Sequence, residues 1–121
     1  MASTKAPEIL AFFADAAIAK GKVVKGGTDE QHVAKCTAAT DKAFGIVQND
    51  ATAAEDSLEV AVGGGCKGLS GGVIAVGDAV TADANGALVA TTTANDRVMG
   101  FALAAAVSGD LFDVLLRQHN Y

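Results

Sequence analysis

A serine within a glycine-rich stretch has the surroundings that most resemble a catalytic motif. The segment Gly68-Leu69-Ser70-Gly71-Gly72 matches the G-x-S-x-G pattern of a nucleophile elbow. That pattern needs a strand before the serine and a helix after it, in a large α/β fold. Here a β-type apolar run follows, and 121 residues are too few for such a fold. The sequence therefore predicts a flexible, glycine-rich connection at Ser70 and not a hydrolase.

A second glycine-rich segment invites comparison with a phosphate-binding loop. It reads Gly63-Gly64-Gly65-Cys66-Lys67-Gly68. The spacing G-x-x-x-x-G-K-[ST] is absent, and no predicted helix follows to direct its N-terminus at a phosphate. We therefore expect no phosphate site here.

The histidines and cysteines do not form a recognisable site. His32 falls in a predicted strand and His119 in the C-terminal tail, and two isolated histidines make a poor metal site or general base. Cys36 and Cys66 fit no metal spacing. Reduced thiols that pack as small apolar residues are the favoured interpretation. A disulfide between the two cysteines is the alternative, and it would matter only outside the cell.

The acidic residues fall almost wholly at predicted turns, where aspartate bonds its own backbone. They are Asp29, Glu30, Asp41, Asp50, Glu55, Asp56, Asp78, Asp83, Asp96 and Asp110. None of them forms a pair on a predicted buried face, where a tuned pKa would suit acid–base chemistry. The sequence thus predicts a protein that is not an enzyme and that binds no metal and no cofactor.

Composition predicts a modest core. Half of the residues are hydrophobic, but only 5% are aromatic and tryptophan is absent. Much of the apolar fraction is alanine, so large core side chains are few. We therefore expect oligomerisation, or docking on a larger partner, to contribute to stability.

Charge and the N-terminal region exclude some partners. The net charge is −5 and the basic residues are scattered, which disfavours nucleic acid and, more weakly, anionic membranes. The apolar run over residues 9–14 lies between Glu8 and Asp15. It is too short for a signal-peptide core or a membrane span. We expect a soluble protein, made in a reducing cytoplasm, with no nucleic-acid or membrane partner.

Short β-favouring segments recur along the chain, separated by Gly, Asn, Asp and Thr turns. The predicted strands cover residues 9–13, 17–25, 31–37, 43–47, 57–62, 73–81, 88–93, 98–103 and 110–116. In the fifth, Leu58, Val60 and Val62 alternate and should face inward. Three glycines at 63–65 separate two halves, and residues 66–72 are predicted to be irregular. This regular spacing predicts an all-β fold, a small β-barrel or sandwich.

The second half of the sequence echoes the first. Residues 17–24 and 73–80 share the pattern Ile-Ala-x-Gly-x-x-Val, and further matches follow in order, including charges at turns. Chance similarity in an alanine-rich chain is the alternative. The ordered series favours two pseudo-repeated β units, about 9–62 and 66–116, within one domain over 9–117. Gly21 and Gly77 are then bends in equivalent strands, and a docking surface is expected elsewhere.

An ordered set of segments also carries a family resemblance. The segments are Ala16-Ala17-Ile18-Ala19, Val23-Val24-Lys25, Thr37-Ala38-Ala39-Thr40-Asp41, Gly45-Ile46, Gly77-Asp78-Ala79-Val80-Thr81-Ala82-Asp83-Ala84-Asn85-Gly86, Arg97-Val98-Met99-Gly100-Phe101-Ala102, Gly109-Asp110 and Asp113-Val114-Leu115. In these the chain resembles the capsid decoration (cement) proteins of tailed bacteriophages. The resemblance implies a β-barrel-like domain outside the assembled head, commonly a homotrimer, that bridges neighbouring major capsid proteins. It implies a virion location, on the outer capsid surface.

The two ends of the chain are interpreted separately. Residues 1–8 are predicted to form an N-terminal arm, without counterpart in the second half, and residues 118–121 a polar tail. We expect the arm to order on the capsid or on a neighbouring chain, through Ser3, Lys5, Pro7 and Glu8. The alternative function is another β-rich binding module without catalysis, tail-associated or carbohydrate-binding. The scarcity of aromatic rings disfavours carbohydrate.

Overall fold

The structure, a computed structural model, describes residues 7–120, and for Pro7, His119 and Asn120 it describes the backbone alone. Within that range the protein is all-β and contains no helix. Its strands are β1 Pro7–Ala14, β2 Val23–Gly26, β3 His32–Lys35, β4 Ala43–Val47, β5 Ser57–Leu69, β6 Ala79–Ala82, β7 Leu88–Ala90, β8 Arg97–Ala102 and β9 Leu111–Asn120. The predicted all-β class is confirmed.

The first five strands close into a barrel. Their order is β1-β3-β2-β4-β5, and β1 returns to pair with β5. β1 and β3 run parallel, with Phe13 beside His32 and Ala14 beside Val33, and the other pairs are antiparallel. Closure satisfies strand edges that an open sheet of this size would leave unpaired. The barrel predicted from the short strands is therefore present.

The C-terminal half of β5 continues into a second set of strands, in the order β5-β9-β8-β6-β7. An isolated parallel bridge joins Ser70, just after β5, to Leu88 at the start of β7. β5 is thus shared between two sets. We call β1–β4 with the N-terminal half of β5 the first unit, and the C-terminal half of β5 with β6–β9 the second unit.

The continuity of β5 corrects the predicted break at residues 63–65 and the first part, 66–69, of the predicted irregular stretch, whereas Gly71 and Gly72 do lie outside any strand. Gly63 pairs with Glu8, and Gly64 pairs with both Pro7 and Leu116. Glycine weakens an isolated strand, but pairing along both edges here compensates for that local cost. At the other end, β9 extends through most of the predicted 118–121 tail, because its pairing with β8 continues to Asn120.

Two other predicted strands, 17–25 and 73–81, are wrong in their first halves. β2 begins at Val23 and β6 at Ala79. The reason lies at Gly21 and Gly77, whose φ values of 88° and 89° place them in the left-handed region and turn the backbone away from the sheet. Both segments are therefore a turn followed by a short strand.

Backbone pairs recur at corresponding places in the two units. Ile18 exchanges two N–H···O bonds with Ala51, at 2.9 Å each, and Ile74 exchanges two with Ala106, at 2.9 and 3.0 Å. These pairs hold corresponding loops together across the end of each unit. All four side chains are buried.

Strand register refines which residues correspond. Gly26 pairs with Val33, and Ala82 pairs with Leu88. Val33 therefore corresponds to Leu88, and not to Val89 as in the sequence alignment. The turn between β6 and β7 is one residue shorter than the turn between β2 and β3, so the sequence alignment is displaced by one residue after it.

Each unit contributes to its own apolar core. One cluster fills the first barrel with Ala14, Ile18, Val24, Val33, Val47, Ala51, Leu58 and Val60. A larger cluster occupies the second unit and its boundary with the first; it includes Val23, Ile46, Ala61, Ile74, Val80, Leu88, Met99, Phe112 and Val114. The prediction that Leu58 and Val60 face inward is confirmed. Valine and alanine dominate both clusters, consistent with the predicted modest core.

Candidate functional site

The serine of the G-x-S-x-G segment is buried and locally satisfied. The Ser70 hydroxyl donates to the Gly72 carbonyl at 2.5 Å, and the Gly72 N–H donates to Oγ at 3.3 Å. The Ser70 N–H donates to the Asp110 carbonyl at 2.8 Å. These bonds tie the end of β5 to the loop before β9. The geometry gives Ser70 a structural role.

The glycine-rich 63–68 segment lies within β5, with its backbone paired to β1 and β9. Paired N–H groups are not available to cradle a phosphate. At Gly68, an added Cβ would meet Leu88 and Val114. The glycine permits close packing between β5 and its neighbours, which explains this segment without a ligand.

His32 lies at the centre of a charged cluster in the first unit. Its Nδ1 is 2.6 Å from Asp29 Oδ1, and its Nε2 is 2.9 Å from both Glu55 carboxylate oxygens. The Asp29 carboxylate, followed by Glu55, raises the pKa of His32 to about 9. Hydrogen bonding to His32 lowers the pKa of Asp29. Because both ring nitrogens are engaged, the cluster links β3 to the loop before β5 and offers no free base.

The two cysteines are separate, buried thiols. Both are free. Burial raises the pKa of Cys36 to about 12, and burial raises the pKa of Cys66 to about 12. Of the two interpretations left open by the sequence, the structure has reduced thiols that pack as small apolar groups.

Two acids illustrate the predicted turn chemistry. Asp41 Oδ2 accepts the Thr37 N–H at 2.9 Å, the Ala38 N–H at 3.2 Å and Lys25 Nζ at 3.1 Å. The bond from the Thr37 N–H is the main cause of a lowered pKa at Asp41. Asp56 is held in the same way by the 52–53 backbone, and its pKa is lowered too. These carboxylates are committed to loop geometry.

Residues 7–120 contain no group of three or more His, Cys, Asp or Glu side chains arranged to hold a metal ion. A helix long and apolar enough to cross a membrane is also absent from the described residues.

Of the predicted contact residues, Ser3 and Lys5 lie outside the described residues, whereas Pro7 and Glu8 open β1. The predicted arm therefore ends earlier than residue 8, because Pro7 pairs with Gly64 and Glu8 with Gly63. Glu8 is exposed, and its side chain lies against Gly63.

β1 itself presents an unusual surface. Residues 8–11 are all exposed, so both faces of the strand contact solvent, and Leu10 is 52% exposed. Between Pro7 and Phe12, β1 pairs only with β5 among the described strands. Beside it lies a cavity of about 250 Å³ lined by Ala11, Phe12, Phe13, Gln31 and Ser57. We call residues 8–13 with this cavity the β1 surface.

The second unit carries another apolar surface. It consists of Val73, Val76, Leu103 and Val107, all exposed, with Val73 at 81% and Val76 at 67%. We call it the Val/Leu face. Corresponding positions of the first unit hold smaller or polar residues: Ala17, Lys20, Gln48 and Thr52. Sequence reasoning missed this face by treating residues 73–76 as strand. The signal available was the change from polar to apolar between the aligned halves.

Comparison with known proteins identifies the class. A family model described as phage cement protein matches residues 5–118. The protein is accordingly a phage structural protein associated with the capsid. More specifically, the chain belongs to the phage cement protein family, as the resemblance in its sequence predicted.

A solved structure shares the fold. The head fiber gp8.5 N base of bacteriophage phi29 has a TM-score of 0.73 to this chain at 16% identity, over 94% of this chain and 98% of that one. At this identity the likeness concerns the fold. No curated protein matches the sequence.

Proposed function

We propose that this protein binds the outer surface of an assembled phage head and stabilises contacts between major capsid proteins. The observation that carries the proposal is the family match over residues 5–118, nearly the whole chain. The proposal includes a virion location after synthesis in the host cytoplasm, a homo-oligomer with a trimer favoured, and no catalysis. Clamps that bind several subunits at once gain strength through effective concentration.

The part of the β1 surface away from the cavity, residues 8–10, supports a mode of capsid attachment. An exposed strand edge can accept a strand from a partner, with backbone hydrogen bonds giving affinity and side-chain pockets giving specificity. Ile9 and Leu10 are both exposed and apolar on β1, and exposed apolar patches mark interaction sites. The arm residues Ser3 and Lys5 precede this strand directly and would extend the contact.

The two units support a further proposal, that they are copies of one ancestral unit. The reciprocal pairs Ile18–Ala51 and Ile74–Ala106 support it, as do the matching backbone angles of Gly21 and Gly77. A doubled unit presents related but distinguishable surfaces, so one can adapt to capsid and the other to a different contact.

A capsid-occupancy experiment tests attachment. Undecorated heads are mixed with the wild-type chain, with a deletion of residues 2–6, or with Leu10→Asp. We expect both variants to lose occupancy, while Thr92→Asp, an exposed loop substitution in the second unit, retains it. Electron microscopy of decorated heads should place the density on the outer surface. Full occupancy by both variants would contradict attachment through the arm and β1. Absence of the protein from virions would contradict the capsid role altogether.

A further inference from the structure

The contact between the two units provides a template for a contact between two molecules. A turn of the first unit inserts into the second: the Leu69 N–H donates to the Gly21 carbonyl at 3.0 Å, and the Val23 N–H donates to the Gly86 carbonyl at 2.8 Å. Gly21 is buried there. A Cβ added to it would meet Leu69 and approach Leu111 at 3.0 Å. The receiving site therefore consists of Leu69, Gly86 and Leu111.

The side-chain amide of Gln48 makes two further hydrogen bonds in the same contact. Gln48 Nε2 donates to the Lys67 carbonyl at 3.0 Å, and the Lys67 N–H donates to Gln48 Oε1 at 3.1 Å. Lys67 and Leu69 thus direct their backbone groups to the first unit along one edge of β5. The inserted elements of the first unit are the turn at Gly21 and the side chain of Gln48.

The second unit repeats this turn on its outer side. The Gly77 N–H donates to the Ala102 carbonyl at 2.8 Å, as the Gly21 N–H does to the Val47 carbonyl at 2.8 Å. Gly77 is exposed, and a Cβ built on it meets no atom within 4 Å. The turn that is buried in the first unit is therefore present but uncovered in the second.

The first unit repeats the receiving site on its own outer side. Phe13 pairs with Ser57 on β1 and β5, as Leu69 pairs with Leu111 on β5 and β9. Phe13 and Ser57, with Gln31 at the place of Gly86, line the 250 Å³ cavity of the β1 surface. The cavity thus lies where the second unit receives Gly21.

One difference defines how an incoming turn would fit. The Phe13 N–H donates to the Gln31 carbonyl at 2.8 Å, so the first-unit site is closed to an inserted backbone. Side chains must fill the cavity instead. Val76 and Leu103 stand at the positions of Lys20 and Gln48, so the outer turn carries apolar groups where the inner one carries polar groups.

We propose that a second copy of this chain docks its Val/Leu face, led by the turn at Val76 and Gly77, on the cavity end of the β1 surface of the first, at Phe13, Gln31 and Ser57. The contact extends the arrangement seen within the chain, with side chains that fill the cavity in place of the inserted backbone of the intrachain contact. It is heterologous, and such contacts close into rings when the rotation permits. This inference rests on the homo-oligomer part of the proposed function, does not rest on capsid binding, and concerns the purified chain alone.

Sedimentation of the full chain tests the proposal. We expect the wild type to self-associate with a concentration-dependent mass. Val76→Asp should weaken association at least about a hundredfold, because an unpaired carboxylate would enter an apolar site. Ser57→Trp, which fills the cavity, should have a similar effect. Lys20→Gln is the control. It lowers the net charge by the same amount as Val76→Asp, but it lies beside Gly21, in the turn of the first unit that is already covered, and should leave association unchanged. A monomeric wild type, or unchanged association in both variants, would overturn the proposal.

Cross-linking identifies the surfaces directly. The double variant Val76→Cys with Gln31→Cys should form intermolecular disulfides on oxidation, giving a ladder of covalent oligomers that reductant reverses. Val76→Cys with Lys42→Cys serves as the control, because Lys42 is exposed in the loop before β4 and does not line the cavity. The native cysteines are buried and should not contribute. Equal ladders in the two variants, or none in either, would refute the assigned contact.

Discussion

Gly21 and Gly77 adopt the same left-handed backbone, with φ of 88° and 89°, yet Gly21 is buried between the units and Gly77 is exposed. The same turn geometry is therefore packed between the units at Gly21 and exposed on the surface at Gly77. The sequence marked both glycines as architectural bends. Their different surroundings add that the turn at Gly77 is the one available to a partner.

Gly100→Ala should destabilise the second unit. A Cβ at Gly100 would overlap the Leu115 carbonyl and lie 3.0 Å from Leu116 Cα, so β8 and β9 would have to separate. We expect a loss of about 1–3 kcal/mol in the free energy of unfolding, measured by denaturant titration. Gly26→Ala is the control, since its Cβ meets nothing within 4 Å. An unchanged midpoint for Gly100→Ala would contradict this packing.

Gln48→Leu should weaken the contact between the units. The substitution introduces the residue present at the corresponding position, Leu103, and removes two hydrogen bonds to the Lys67 backbone. We expect a loss of about 1 kcal/mol, because water can replace part of the lost bonding at this exposed edge. Leu103→Gln is the reverse change on the outer side and should alter stability by less than about 0.5 kcal/mol. Equal effects of the two changes would argue against the conclusion that Gln48 lies in a contact between the units while Leu103 lies on an uncovered surface.

The His32 cluster predicts a pH-dependent stability. Hydrogen bonds that the charged ring donates to Asp29, then to Glu55, raise the pKa of His32 from 6.5 to about 9. Its contribution is therefore fully present below pH 6.5 and is lost as pH rises through about 9. The melting temperature of the wild type should exceed that of His32→Gln near neutral pH, and the difference should shrink above the raised pKa.

A second measurement isolates that histidine. NMR titration should show the His32 ring charged well above the usual range, and Glu55→Gln should lower its pKa. Glu59→Gln, on exposed β5 surface, is the matched control. A His32 pKa near 6.5 in the wild type would remove the basis of the prediction.

The buried thiols predict slow labelling. Burial raises the pKa values of Cys36 and Cys66 to about 12, so little thiolate forms at neutral pH. We expect both cysteines to react with a thiol reagent far more slowly than the unfolded chain does. Exposed Thr92→Cys provides a rapidly reacting internal control. Fast labelling of either native cysteine in the folded protein would show that its site opens readily.

Local pattern was sufficient for several elements. Residues 43–47 were predicted as a strand and form β4 with those bounds. The alternation at Leu58 and Val60 predicted their burial correctly, because a period of two needs no knowledge of the partner strand. Asp41 and Asp56 bond their own turns, as short-range chemistry predicts.

Glycine was the residue type that local pattern misread. At residues 63–65 the sequence indicated a break, whereas β5 runs through them to Leu69. A glycine has no side chain to indicate a partner, so its strand character depends on neighbours distant in sequence. At Gly21 and Gly77 the opposite error arose, since β-favouring neighbours concealed a left-handed turn.

The sequence by itself determined the all-β class, the aspartate-bonded turns at Asp41 and Asp56, the modest valine and alanine core and the family, because each follows from residue type and local order. Only the tertiary structure decided that β5 is shared by both units, that the first unit closes through β1, and which copy of a turn is covered. Those outcomes depend on contacts between residues far apart in the chain. The two glycine turns therefore share a backbone geometry but differ in their flanking side chains and in what packs against them.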